Sequence, residues 1–213
     1  MGLFDFLSNK NAGTGAVKKY ASRVLDKRGQ SPERWDAIQA LGRLKTAEAV
    51  EALLPRFAFY TDPTITDQEE KDAVFRGIVA AGEVAIAPVH AYLRRSESIA
   101  WPLRILERLL PAEKVIDDLL ELLQTFDVEY SRDPDKKISV LGALEDRSDP
   151  RIVTACIRFF EDTNESVRFA ALGAVLAQTN AADAVAALRE LLLKEESVRS
   201  KNRASEGLAK LGA

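Results

Sequence analysis

EDTNESVRFAALGAVLAQTNAADAVAALRELL, residues 161–192, is the stretch that decides the fold. It holds an acid before a turn (Asp162), a small-residue apolar run over 166–178, a polar break at Thr179-Asn180 and a second apolar run over 181–193. Apolar residues recur there at helical spacing, so the stretch predicts two short helices joined by a tight turn. Nothing in it alternates as a strand would.

The same grammar recurs outward in both directions. AALGAVLAQ (170–178) is echoed by ISVLGALED (138–146) and ASEGLAKLG (204–212), and further back by AIQALGRL (37–44), AVFRGIVAAG (73–82) and LRILERLL (103–110). Four copies align on Gly42, Gly142, Gly173 and Gly207. Gly77 is a looser match, and Glu107 takes the place in LRILERLL. The spacings are 35, 30, 35, 31 and 34 residues, the size of a two-helix repeat. Helices this short cannot bury an apolar face alone, so they must stack on neighbours. The expected fold is all-α: a right-handed α-solenoid of about five to six helix pairs.

Local signals place the helices. A first helix is expected over 14–28. Ser31-Pro32 opens the second, since proline suits a helix start. A third runs over 46–59 and should bend at Pro55. Asp67 reads as the cap of the fourth, with Glu70 at capping-box distance. Pro111 and Asp149-Pro150 open later helices. The second helix of each pair should begin near Pro32, Asp67, Ser98, Asp135, Ser166 and Ser197. Two connections, 59–66 and 127–135, are longer than the rest and fall inside a pair. They are plain surface insertions or partner-binding loops, with Phe59, Tyr60 and Tyr130 as packing anchors or contacts.

Asp162, Val167-Arg168, Ala171 and Gly173 resemble the repeat pattern of HEAT-like proteins, including the bilin-lyase type of HEAT repeat. LGALEDRSDPRIVTACIRFFED (141–162) follows the same pattern. The resemblance covers roughly 31–213 and is strongest over 138–195. It implies that Asp162 and Arg168 are structural, forming a ladder between repeats. Val198-Arg199 repeats the motif 31 residues later, but Leu193 stands where the acid would be, so the last rung is expected to be altered. The segment with Ile99, Trp101, Pro102 and Glu107 also departs from the pattern.

Composition excludes several chemistries. One Cys and one His rule out an internal disulfide and leave only a carboxylate-built metal site, so neither metal nor cofactor is expected. His90 follows Ile86 by four residues and reads as structural. Cys156, between Ala155 and Ile157, reads as a small buried hydrophobe. The acidic doublets Glu69-Glu70, Asp117-Asp118 and Glu195-Glu196 are neighbours in sequence, so they do not share a helix face and read as solvated surface. Iron-dependent hydroxylases of HEAT-like architecture need several His-Glu pairs, and the one His here is followed by Ala91. The alkylpurine DNA glycosylases of that architecture use Trp and Asp in a basic groove, for which Trp35, Trp101, Arg104, Arg108 and Arg168 are available. The formal charge of -3 speaks against nucleic acid.

The charge is uneven. The first 30 residues carry a net +4 and the remaining 183 a net -7. Leu3, Phe4, Phe6 and Leu7 form an apolar tip. Residues 1–13 therefore read as tip plus polar linker, and 14–213 as one HEAT-like repeat domain with terminal capping helices. The tip folds over the first repeat, or it touches an anionic membrane surface or a partner. Phe6 stands where a myristoylation motif wants Ser or Thr. The whole reading is a non-catalytic, cytoplasmic, protein-binding scaffold. The alternative is a nucleic-acid-binding HEAT-like protein or DNA glycosylase. Arg34, Arg76, Trp101, Arg104, Arg108 and Lys137 fall on second helices, which line the inner curve of HEAT-like solenoids. They are the partner-binding candidates, and the expected ligand is an acidic protein segment. Trp101 is either core or a ligand platform.

Overall fold

The computed structural model describes residues 15 and 17–213, so the apolar tip and linker assigned to 1–13 lie outside the described residues. Among the described residues every regular element is helical. A helix over 17–24 (α1) is followed by α2 (Ser31–Leu44), α3 (Ala47–Leu53), α4 (Thr64–Ala81), α5 (Ile86–Arg95) and α6 (Ala100–Leu109). Then come α7 (Ala112–Gln124), α8 (Asp135–Glu145), α9 (Arg151–Cys156), α10 (Glu165–Leu176), α11 (Val185–Lys194) and α12 (Val198–Lys210). The fold is all-α and built of helix pairs.

Local chemistry accounts for the boundaries. The Thr46 hydroxyl accepts from the Ala49 amide, and the Asn164 side chain accepts from the amides of Ser166 and Val167, so both residues cap the helices they precede. Pro55 does more than bend α3. The chain tightens into a 3-10 turn over Leu54–Ala58, in which Pro55, lacking an amide donor, takes an early position. A second 3-10 turn, Ile157–Glu161, ends α9 in the same way without a proline. Asp67 is not a cap. Helix α4 begins three residues earlier, after Pro63, and Asp67 is buried in its first turn.

The described chain divides into two compact units. The first runs to Ser96 and includes Ala100–Leu110. In it α2 packs on α4 and α4 on α6, forming a layer of second helices, while α3 packs on α5. Leu41, Leu53, Val74, Ile78, Val89, Ile105 and Leu106 form its core. Each such side chain contributes about 1.5–3 kcal/mol on burial. The α2–α4 seam is close. A Cβ built on Gly42 would lie 3.3 Å from the Cα of Gly77, so the 35-residue glycine spacing is a backbone contact between successive repeats.

The second unit holds Pro111–Ala213 with 97–99. Here α8, α10 and α12 form the layer of second helices, α7 packs on α9, and α11 packs on the 3-10 turn that follows α9. Leu119, Val140, Leu141, Phe159, Leu172 and Leu188 are fully buried.

One stretch, Thr64–Arg95, is long and apolar enough by length and composition to match a membrane span, with a window of mean hydropathy 1.3. It is two helices. Gly82, at φ +68°, breaks it in a conformation that side chains rarely adopt, and Val74, Ile78 and Val89 are buried in the unit's core.

Candidate functional site

Buried charges on the second helices come first, because they decide which basic residues are left at the surface. In the second unit, Lys137 sits near the start of α8. Its Nζ donates to the carbonyl of Asp127 in its own turn (3.0 Å) and to the carboxylate of Asp162 in the next turn (2.7 Å). Arg168, near the start of α10 and 31 residues on, does the same. It donates to the carbonyl of Asp162 (2.9 Å) and, through two nitrogens, to the carboxylate of Glu195 (2.7 and 2.8 Å). Each carboxylate also accepts amides of its own turn: Asn164 on Asp162, and Glu196 and Ser197 on Glu195. A cation thus ties its own turn to the next one, and the unit repeats the device. The Arg168 guanidinium holds the Glu195 carboxyl down at about 2, against the opposing effect of burial.

The first unit carries a denser version. Glu70 is fully buried and accepts from Arg34 Nε (3.1 Å), Arg56 Nε (3.0 Å) and the Ser31 hydroxyl (3.0 Å). Arg56, itself 0% exposed, also donates to Asp67 (2.7 Å), and Lys71 pairs with the same carboxylate (2.7 Å). Burial pushes the Asp67 carboxyl up, yet Lys71 and Arg56 outweigh it, and the net shift is down. Arg34 adds bonds to the carbonyls of Asp26 and Gly29.

These placements correct several expectations. Arg34 and Lys137 were candidates for partner contact, but each is 3% exposed, inside an ion pair. Glu70 and Glu195 are buried and are not solvated surface. The last rung is not missing its acid: Glu195 supplies it, four residues before Arg199 instead of six. Arg199 itself pairs with Glu165 (Nε to Oε1, 2.8 Å) and lies 4.6 Å from the ring centre of Phe169.

The remaining candidates lie on α4 and α6 of the first unit. Arg76, Arg104 and Arg108 are exposed and Trp101 is half-buried. Trp101 stacks on Phe57 from the 3-10 turn (centroids 4.7 Å apart, planes 14° apart) and leans on Phe75 of α4 at 6.2 Å. The Arg104 guanidinium lies over both, 4.4 Å from the Trp101 ring centre and 5.2 Å from that of Phe75. The arrangement is three half-buried rings roofed by an exposed cation. Sequence reading found Trp101 and Arg104 but not Phe57 and Phe75. Those rings come from other helices of the stack, and no local spacing signals them.

The nucleophile candidates are quiet. Cys156 is fully buried, and burial pushes its thiol up to about 12. His90 is half-buried on α5 of the first unit, whereas Cys156 belongs to the second. Among the described residues no group of three or more His, Cys, Asp or Glu side chains is arranged to hold a metal ion.

A family model for HEAT repeats matches residues 116–209. That span covers most of the second unit, including both rungs at Lys137–Asp162 and Arg168–Glu195. Over that part of the chain the fold is of the HEAT-repeat type. No curated protein and no solved structure matches the chain.

Proposed function

We propose that the chain is a non-catalytic, cytoplasmic HEAT-type scaffold that holds an acidic segment of a protein partner on the α4–α6 face. The observation that carries this reading is Arg104 spread over Trp101 and Phe75. A guanidinium stacked on rings is pre-oriented, and its outward N–H groups suit a carboxylate fork. Tryptophan and arginine are also the residue types that dominate binding energy at protein interfaces. Arg76 and Arg108, exposed on the same two helices, extend the cationic character. The likeness of 138–195 to the bilin-lyase type of repeat supports the form of the repeat alone, and no lyase chemistry is proposed from it.

The test is comparative affinity purification with three baits: the wild type, Arg104→Glu/Arg108→Glu, and a control reversed at the exposed Arg189 of the second unit. The reading expects a protein retained by wild type and control and lost from the double variant, with all three baits equally folded by circular dichroism. Equal retention by all three contradicts it.

A further inference from the structure

The second unit carries a groove of opposite character to the arginine face, and it lies on first helices. It runs between the 3-10 turn Ile157–Glu161 and α11, with a volume of about 680 Å³. Half-buried Ile157 and Ala187, with the edges of the buried Phe160 and Leu191, form the apolar part of a lining that is otherwise polar. Two charged pairs at one end, Lys137–Asp162 and Arg168–Glu195, are satisfied internally, so they add no net charge. The exposed lining charges are Glu161, Glu190 and Glu196 against Lys194 and Arg158. Arg158 is committed elsewhere: its Nη2 donates to the carbonyl of Leu123 at 2.7 Å, and its guanidinium lies over Phe159. These contacts fix Arg158 without removing its charge, so the rim's three carboxylates outnumber its cations by one.

The rim also shows how it takes a cation. Lys194 Nζ lies 2.6 Å from Glu190 and 3.8 Å from Glu161, so one ammonium group faces carboxylates on both sides of the groove. Leu193, next to it in sequence, is 87% exposed. All three members of this ion-pair array are mostly exposed, so a ligand's cation can replace Lys194 at small cost.

We propose that this groove docks a basic amphipathic helix of a protein partner. The helix lays its apolar side on Ile157, Phe160, Ala187 and Leu191, and its lysines or arginines meet Glu161, Glu190 and Glu196. This is helix-in-groove recognition, in which apolar residues on one face give the affinity and rim charges set the orientation. The site is separate from the arginine face and does not depend on the acidic partner proposed there.

The experiment uses the full chain and a fluorescent synthetic helix of leucine and lysine, about 15 residues long so that it holds a helix. A leucine–glutamate peptide of equal length is the control, and binding is read by anisotropy. The expected result is a Kd at least about tenfold tighter for the lysine peptide. Ala187→Trp, which fills the groove, and Glu161→Lys/Glu190→Lys, which reverses the rim, should each abolish that difference. Amide chemical shifts of Ala187, Leu191 and Glu196 should move on titration. Should Ala187→Trp fail to fold, the rim variant decides, since its two positions are at the surface. Lysine-peptide binding that survives the rim reversal, or that equals glutamate-peptide binding, overturns the proposal. So does self-association of the chain through the groove with which the lysine peptide does not compete.

Discussion

Arg203 on α12 reaches Glu145 on α8, 58 residues away, by passing over Gly173 on the helix between them; its Nη2 lies 2.5 Å from Glu145 Oε1. The pair clasps three successive second helices. A Cβ at position 173 would fall inside contact distance of both charged ends, so the repeat glycine here makes room for side chains. At Gly42 it makes room for the backbone of Gly77, and at Gly142 nothing lies within 4 Å.

Those three environments predict three signs. Gly142→Ala should stabilise by about 0.4–1 kcal/mol, because the helix gains propensity and meets nothing. Gly173→Ala should be close to neutral. The same gain is offset by displacing Arg203 and Glu145, both of which are partly exposed and flexible. Gly42→Ala should destabilise, since the obstacle is a neighbouring helix's backbone, which gives way only by separating α2 from α4. Thermal unfolding of the three variants should rank them in that order. A Gly42→Ala variant more stable than wild type would contradict the close seam.

Arg168 is tied to two turns, and its partner Glu195 has no exposed side chain. Arg168→Ala leaves that carboxylate buried without its cation and should cost on the order of 1–3 kcal/mol. Arg168→Lys should recover only part of the loss, because a lysine cannot reproduce the two-nitrogen fork. Tm values of the two variants check this. An Arg168→Ala protein as stable as wild type would remove the rung from the account.

The same carboxylate predicts a pH dependence. Glu195 and Glu165 have folded pKa values lowered from 4.5 to about 2, Glu195 by Arg168 and Glu165 by Arg199. A lowered folded pKa means that the unfolded chain binds the proton first as pH falls. The stabilisation is complete above about pH 5 and is lost as pH drops through the interval from 4.5 to 2. Glu195→Gln should flatten the fall of Tm across that interval while lowering Tm at neutral pH. A wild-type Tm unchanged between pH 5 and pH 2.5 would be inconsistent with both pairs.

Cys156 gives an independent probe of the second unit. It is fully buried, with its thiol pushed up to about 12, so at neutral pH it should resist alkylation and react only on unfolding. The labelling rate across a denaturant series should follow the loss of helix. Rapid labelling of the native protein would show that the α9 core opens.

Much of the architecture was legible in the sequence, for identifiable reasons. The glycine spacing signalled repeats because at Gly42 and Gly77 it is a true contact between successive helices. Asp162 and Arg168 stood out because both lie in one stretch of the repeat pattern. Their principal partners did not. Lys137 is 25 residues before Asp162, and Glu195 is 27 after Arg168, so each ion pair crosses a repeat boundary. Glu70 was misleading because its distance from Asp67 imitates a capping box, while the helix begins upstream and turns both acids inward. Arg34 and Lys137 looked like surface cations for the same reason, since their acids come from neighbouring repeats. The aromatic floor beneath Arg104 is assembled from a turn and two helices, which no single segment displays.

The central claim is that the arginines left exposed on α4 and α6, and not the buried rungs, meet the partner. Calorimetric titration of the purified partner into wild type and Arg104→Glu/Arg108→Glu, at low salt and again at high salt, tests it most directly. The account predicts at least about tenfold weaker binding by the folded variant, and a wild-type affinity that falls as salt screens the pairing. Unchanged affinity of the folded double variant at low salt would contradict it and remove the α4–α6 face as the binding site.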